Sequence, residues 1–231
     1  MKSNKSVNLI FGILILAVAF SLASGAGMAV AADKEDAQGL VDKANVTLNT
    51  FMRDKDYTWI HENIGKAKGV LIYPQVLKAG FILGGSGGTG VFVAKDNKGV
   101  WSEPAFYTIG SVSFGLQIGG EAAEVIVLCM TQKAVDALMT SQVKFGGDTS
   151  IALGPVGAGA KANVVADFIS FAKSKGIYAG LNLEGSVVAV RDSLNEAYYG
   201  AKITPIQIIV EKKGANAGSS GLRGSLKKAA K

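Results

Sequence analysis

Cysteine and histidine are almost absent: the chain has one of each, Cys129 and His61. A single cysteine excludes an intramolecular disulfide framework. It stands in the apolar run at 125–130, where a thiol behaves as a small buried hydrophobe. A lone histidine with no second histidine or cysteine beside it lacks the partners of a zinc site. His61-Glu62 does not extend to H-E-x-x-H, because position 65 is glycine. The acid pairs Asp54/Asp56 and Glu121/Glu124 lack a calcium-loop pattern and read as solvated turns. Proline is scarce too, four residues against thirty glycines, and there is no collagen period. Charge is sparse, at 18% of residues. Of the net +6, residues 1–31 contribute +2 and residues 211–231 contribute +5, which leaves −1 on 32–210. A nucleic-acid-binding domain carries its basic face on the body. This distribution therefore speaks against nucleic acid as a partner.

What the chain does have is a long, nearly uncharged stretch at 99–131, GVWSEPAFYTIGSVSFGLQIGGEAAEVIVLCMT. It shows no helical period and reads as two long strands, 106–118 and 121–131, joined as a hairpin at Gly119-Gly120. The run at 125–130 suits a strand buried on both faces. The rest of the chain is expected to wrap around this segment.

The first thirty-one residues read as an export signal. Lys2 and Lys5 form a positive start, Leu9 to Leu22 is apolar, and Ala29-Val30-Ala31 fits a small-x-small cleavage site. Cleavage is expected before Ala32, with an uncleaved anchor as the alternative. Residues 34–55 then place Ala37, Leu40, Val41, Ala44, Leu48, Phe51 and Met52 on one helical stripe. The opposite face mixes charge signs, which favours packing on a sheet over lying in a membrane interface. A second helix is expected at about 58–66.

From Gly69 the pattern turns to strands. GVLIYP is a short strand ended by Pro74. Residues 79–84 and 90–95 pair around a GGSGGTG loop. A helix is expected within 132–141, and strands at about 149–154, 158–165, 167–174, 177–183 and 186–190. Residues 192–199 read as a helix and ITPIQIIV at 203–210 as an edge strand. Similar patterns at 113–127 and 177–190 suggest two hairpins of one sheet. The fold class is therefore α+β, a mainly antiparallel barrel- or sandwich-like sheet with N-terminal helices packed on it.

Two catalytic patterns match by letter and fail by context. Gly85-Ser86-Gly87-Gly88-Thr89-Gly90 fits G-x-G-x-x-G, but a strand follows instead of the helix that would meet a pyrophosphate. Residues 84–88 fit G-x-S-x-G, yet a nucleophile elbow also needs a following helix and a later histidine. No cofactor is expected, and no reaction is declared by the residues.

WSEPAFYTIG, SFGLQIGGE, GVLIYP, GPVGAGA, FAKSKGIYAGLNLEGSVV and NEAYYG together resemble the SYLF domain family, also known as the Ysc-type actin-binding domain. The resemblance spans roughly 35–210. It implies a lipid-binding domain, with phosphoinositides and actin as partners of some eukaryotic members and an exported setting for many bacterial ones. With the signal-like start and the charge distribution, it divides the chain into a signal peptide (1–31), a SYLF-like domain (32–210) and a basic tail (211–231). The tail is expected to be disordered because Gly214, Gly218, Gly221 and Gly224 oppose a helix. Three basic clusters are candidate lipid contacts: Lys66 with Lys68; Lys173 with Lys175, where the resemblance places basic residues; and Lys212, Lys213, Arg223, Lys227, Lys228 and Lys231. Each such charge near an anionic surface contributes ~1 kcal/mol. The expected function is a non-enzymatic exported protein, periplasmic or membrane-peripheral, that binds anionic lipid head groups. The alternatives are a periplasmic structural or adaptor protein that pairs with another protein, and a hydrolase built on Ser86. Actin is not expected as a partner in an exported setting.

Overall fold

The computed structural model describes residues 33–80, 83–114, 119–147, 149–159, 163–174 and 182–231. The proposed signal segment, and Lys175 with the rest of 175–181, lie outside them. The first helix, α1, covers 33–53. Its stripe is the expected one: Ala37, Val41, Ala44, Leu48 and Phe51 are all buried. Asp54 accepts from the Asp56 amide and starts a 3-10 turn, after which α2 (Thr58–Asn63) and a further turn (Ile64–Lys66) lead into the sheet.

Eight strands form one curled, half-barrel sheet. They are β1 (Gly69–Gly80), β2 (Leu83–Ala94), β3 (Ala105–Phe114), β4 (Gly119–Cys129), β5 (Gln142–Lys144), β6 (Ile151–Leu153), β7 (Phe168–Ser174) and β8 (Val187–Val190). Their order across the sheet is β5-β8-β3-β2-β1-β4-β7-β6. All neighbours are antiparallel except β6 and β7. The β1–β2 hairpin is central.

This order corrects the expected central hairpin. β3 and β4 are not neighbours, because β4 pairs with β1 and β7 while β3 pairs with β2 and β8. The apolar run of β4 needs a buried strand on each side, and Gly69–Tyr73 supplies one of them. β8 likewise joins β3 and β5 rather than a hairpin partner of its own. Residues 163–165 and 182–183 carry no strand, and the remainder of the spans expected at 158–165 and 177–183 gives none among the described residues.

GGSGGTG is not a loop either. It is the interior of β2, and β1 continues past Pro74 to Gly80 through an irregularity between Ile72 and Gln75. There the β1 backbone presses onto β2. A Cβ on Gly88 would lie 2.5 Å from the Gln75 oxygen, and a Cβ on Gly90 would sit inside contact distance of Ile72 and Tyr73. Only glycine admits that approach.

Both faces of the sheet are covered near the start of β1. On one face α1, α2 and α6 (Ser220–Ala229) pack against Val70, Ile72, Val91, Val93, Phe106, Ile126 and Leu128. On the other, α3 (Gln132–Leu138) and α5 (Pro205–Ile209) cover Leu71, Tyr73, Phe92, Tyr107, Val125 and Val127. Cys129 is fully buried there, and that burial pushes its thiol pKa up, so it stays protonated. α4 (Asp192–Tyr199) ends at Gly200 in the left-handed conformation.

Two further expectations give way. The span 203–210 holds a helix, Pro205–Ile209, instead of an edge strand, because Thr204 and Gln207 form a reciprocal capping box with Pro205 in the first turn. That local signal outweighs the β-branched composition. The tail is not disordered over 217–229. A 3-10 turn (Ala217–Ser219) and α6 dock on α1, burying Leu222 and Leu226. The docking contacts suit small residues: Gln38 donates to the Gly218 carbonyl and Asn49 to Ser225 Oγ.

Candidate lipid-facing basic surface

The docking of α6 decides where the tail charges go. Its last turn reaches the 3-10 turn after α2, so closely that a Cβ on Gly65 would lie 3.0 Å from the Ala230 carbonyl oxygen. Lys231, next in the chain to Ala230, is therefore brought to the turn that carries Lys66, while Lys227 and Lys228 stand exposed in the last turn of α6. Lys66 Nζ donates to Asn63 Oδ1 at 2.9 Å, and Lys68 is exposed two residues on.

Lys95 completes the group. It follows β2, and its backbone N–H donates to the Lys68 carbonyl at 2.8 Å. Its ammonium donates to the Gly65 carbonyl at 2.5 Å and lies 5.2 Å from the centre of the Trp101 ring. Burial, and then the like charge of Lys68, holds its pKa below the ordinary lysine value. Sequence reading missed Lys95 because it belongs to no run of basic residues. Its one signal is a lysine at the strand end before the DNKG turn. None of Lys66, Lys68, Lys95, Lys227, Lys228 and Lys231 forms an ion pair with a described residue.

Arg223, Lys212, Lys213 and Lys173 each pair with a carboxylate. Arg223 Nη1 donates to Glu103 Oε1 at 2.6 Å and its Nε to the Trp101 carbonyl, which fastens α6 to the β2–β3 connection. Lys212 pairs with Asp96 at 2.6 Å, and that hydrogen bond first of all brings the Asp96 carboxyl down to about 2. Lys213 pairs with its neighbour Glu211. Lys173 stands on β7 opposite Glu124 and reaches Asp54 at 2.5 Å, tying β7 to the end of α1. Its hydrogen bond is the main reason the Asp54 carboxyl lies below its usual range.

Ser86 and His61 are not brought together. Ser86 Oγ is 2.7 Å from Ser111 Oγ in the middle of the sheet, and His61 Nε2 bonds to the Phe51 carbonyl beside α2. Among the described residues no helix is long and apolar enough to cross a membrane, and no cluster of three metal-ligating side chains occurs.

A half-barrel sheet clasped by helices, with a lysine cluster where the α2–β1 turn meets the end of α6, defines a scaffold that presents a basic surface. Comparison with known proteins gives the family. Residues 110–229, just over half of the chain, match the model described as "Ysc84: Las17-binding protein actin regulator", and the chain belongs to that family, as its SYLF-like motifs imply. It is 36% identical over 150 residues to SH3 domain-containing protein PJ696.02 of Schizosaccharomyces pombe, covering 62% of this chain and 35% of that protein. It is 34% identical over 151 residues to human SH3 domain-containing YSC84-like protein 1, covering 63% and 44%. It is also 34% identical over 151 residues to LAS seventeen-binding protein 3 of Saccharomyces cerevisiae, covering 62% and 33%. The chain thus spans less than half the length of these relatives. No solved structure matches it.

Proposed function

We propose that the protein binds anionic lipid head groups at a membrane surface, without catalysis, through the lysine cluster at the α2–β1 turn and the end of α6. The observation that carries this reading is the convergence of Lys66, Lys68, Lys95 and Lys231 with no carboxylate paired to them among the described residues. Unpaired lysines on one surface attract anionic head groups at ~1 kcal/mol each. The signal-like start supports an exported, membrane-peripheral location, with cleavage before Ala32. Intact-mass measurement of the native protein tests that location, since a chain that still began at Met1 would contradict cleavage.

Vesicle co-sedimentation tests the lipid reading. Binding to anionic vesicles should exceed binding to neutral ones and weaken between low and physiological salt, where screening shortens the reach of exposed charges to about 8 Å. Lys66→Glu with Lys68→Glu and Lys231→Glu should remove most of it. Charge reversal is the right perturbation, because deleting α6 would also remove Leu222 and Leu226 from the core. Equal binding by the triple variant would refute the assignment. A second reading, a protein partner, draws on the name of the yeast relative, a LAS seventeen-binding protein. It takes over if no vesicle binds.

A further inference from the structure

The sheet runs on beyond its helices and exposes a second surface. Past the irregularity in β1, Val76 joins the cluster of Leu71 and Tyr73, so Leu77 and Ala79 turn to the face that carries α1. Alternation from Val91 and Phe106, both under the helices, puts Gly87, Gly85, Gly110 and Val112 on that same face. The register aligns Leu77, Gly87 and Gly110 in one row across β1, β2 and β3. The row continues through Val187 on β8 to Lys144 on β5.

The result is a shelf with glycine for a floor. Leu77 and Val112 stand on either side of it, 55% and 76% exposed. A Cβ on Gly87 would meet no described atom nearer than 3.7 Å, and one on Gly110 none nearer than 3.9 Å, so no described residue crowds either position. Contiguous exposed apolar surfaces mark binding sites. Their chemistry limits the occupant. β2 is paired on both sides, so its amides are spent in the ladders. The glycines of the floor bring no side-chain donor or acceptor, and Thr89 and Thr108 stand at its border one pair further along β2 and β3, so a peptide laid over the glycines would leave most of its own backbone groups unpaired. A hydrocarbon chain loses nothing there. At the β5 end Lys144 is exposed, forms no ion pair with a described residue, and shares its row with no carboxylate. Three strand spacings, about 14 Å, separate it from Gly87.

We infer that this shelf binds a single-chain anionic amphiphile, its hydrocarbon over Gly87 and Gly110 and its anionic head at Lys144. The surface is separate from the lysine cluster at α6, and the inference stands whether or not that cluster binds vesicles.

Fluorescence titration of the purified protein with dansyl-undecanoic acid, kept below its micellar concentration, tests this. Saturable enhancement with a blue shift is expected. Gly87→Val with Gly110→Val should weaken binding roughly tenfold, the worth of about two displaced methylenes. Val112→Asp, at a side chain too exposed to disturb the core, should weaken it comparably and covers the case in which the glycine variant does not fold. Lys144→Glu should weaken the acid probe a few-fold at low salt and leave its methyl ester unchanged. Lys66→Glu with Lys68→Glu should leave the titration untouched, which separates this site from the vesicle-binding surface. Absence of saturable enhancement overturns the inference. So does unchanged affinity in a folded Val112→Asp protein. Equal loss of acid and ester binding on Lys144→Glu overturns the assignment of the head.

Discussion

Truncating Leu226 to alanine asks whether α6 is part of the fold or an appendage. Leu226 is fully buried in the core cluster that includes Ile64 and Leu48. Removing such a side chain costs about 2–5 kcal/mol. α6 has little to fall back on. It has ten residues, and isolated helices shorter than about 12–15 residues are marginal in water. Gly221 and Gly224 in its interior each cost about 1 kcal/mol relative to alanine. The loss should therefore appear as local undocking rather than collapse of the sheet. Hydrogen exchange reads the difference. In Leu226→Ala the amides of the last turn of α6 should exchange faster by roughly thirty-fold to several thousand-fold, the same energy expressed as an opening equilibrium. The amides at 125–129 in β4 should keep their protection. Wild-type amides at 222–229 that exchange at unprotected rates would refute the docked helix. Equal acceleration in α6 and β4 would refute its independence.

Val127→Asp places a carboxylate at a fully buried position between β1 and β7, and should abolish soluble expression; a normal melting temperature would show that β4 is not core. Gly90→Val should prevent the close passage of β1 over β2 and lower the melting temperature sharply, while Gly39→Val, with open space around it, should change it little. Asp167 accepts from the Ser150 N–H and hydroxyl and from Thr131 Oγ1, and these bonds hold its pKa at about 2, below the usual 3.8. A depressed carboxylate contributes stability above its unfolded pKa and loses it as pH falls through the folded one. Acid unfolding curves should show that loss between about pH 4 and pH 2, and Asp167→Asn should flatten this window.

α1 was legible because its stripe repeats over five turns and no β pattern competes with it. The strand character of 69–131 was legible too, from β-branched runs. Which strand lies beside which was not. The alternation of Val125, Val127 and Cys129 is the same whether β4 pairs with β3 or with β1, and Gly119-Gly120 looks like a turn although it opens a strand. GGSGGTG misled for a related reason: dense glycine signals a loop unless another backbone presses on it, and that neighbour, the bulged part of β1, is fixed only by tertiary structure. The helix at 205–209 carried its own sign in Thr204-Pro205 and Gln207. The lysine cluster was half visible. Lys66 and Lys68 stand out in the chain, but their meeting with Lys231 depends on α6, which its glycines made read as disorder. Lys95 became a candidate only through the Gly65 carbonyl and the Trp101 ring.

The pairing of α1 with α6 governs how the chain reaches this state. The central hairpin can zip locally, and β3 adds beside it from the next few residues. Everything outward waits: β4 must reach back to β1, β8 to β3, and finally Leu222 and Leu226 to a helix that starts near residue 33. Closure over such separations is slow, because the entropy of the intervening chain is lost before any contact is gained. One core therefore stays open until α6 has been synthesised. During that interval the side of this core that Leu222 and Leu226 close, around Leu48 and Ile64, is exposed. Exposed apolar surface of this kind is what a holding chaperone binds, so the order of assembly alone gives the incompletely docked form a lifetime.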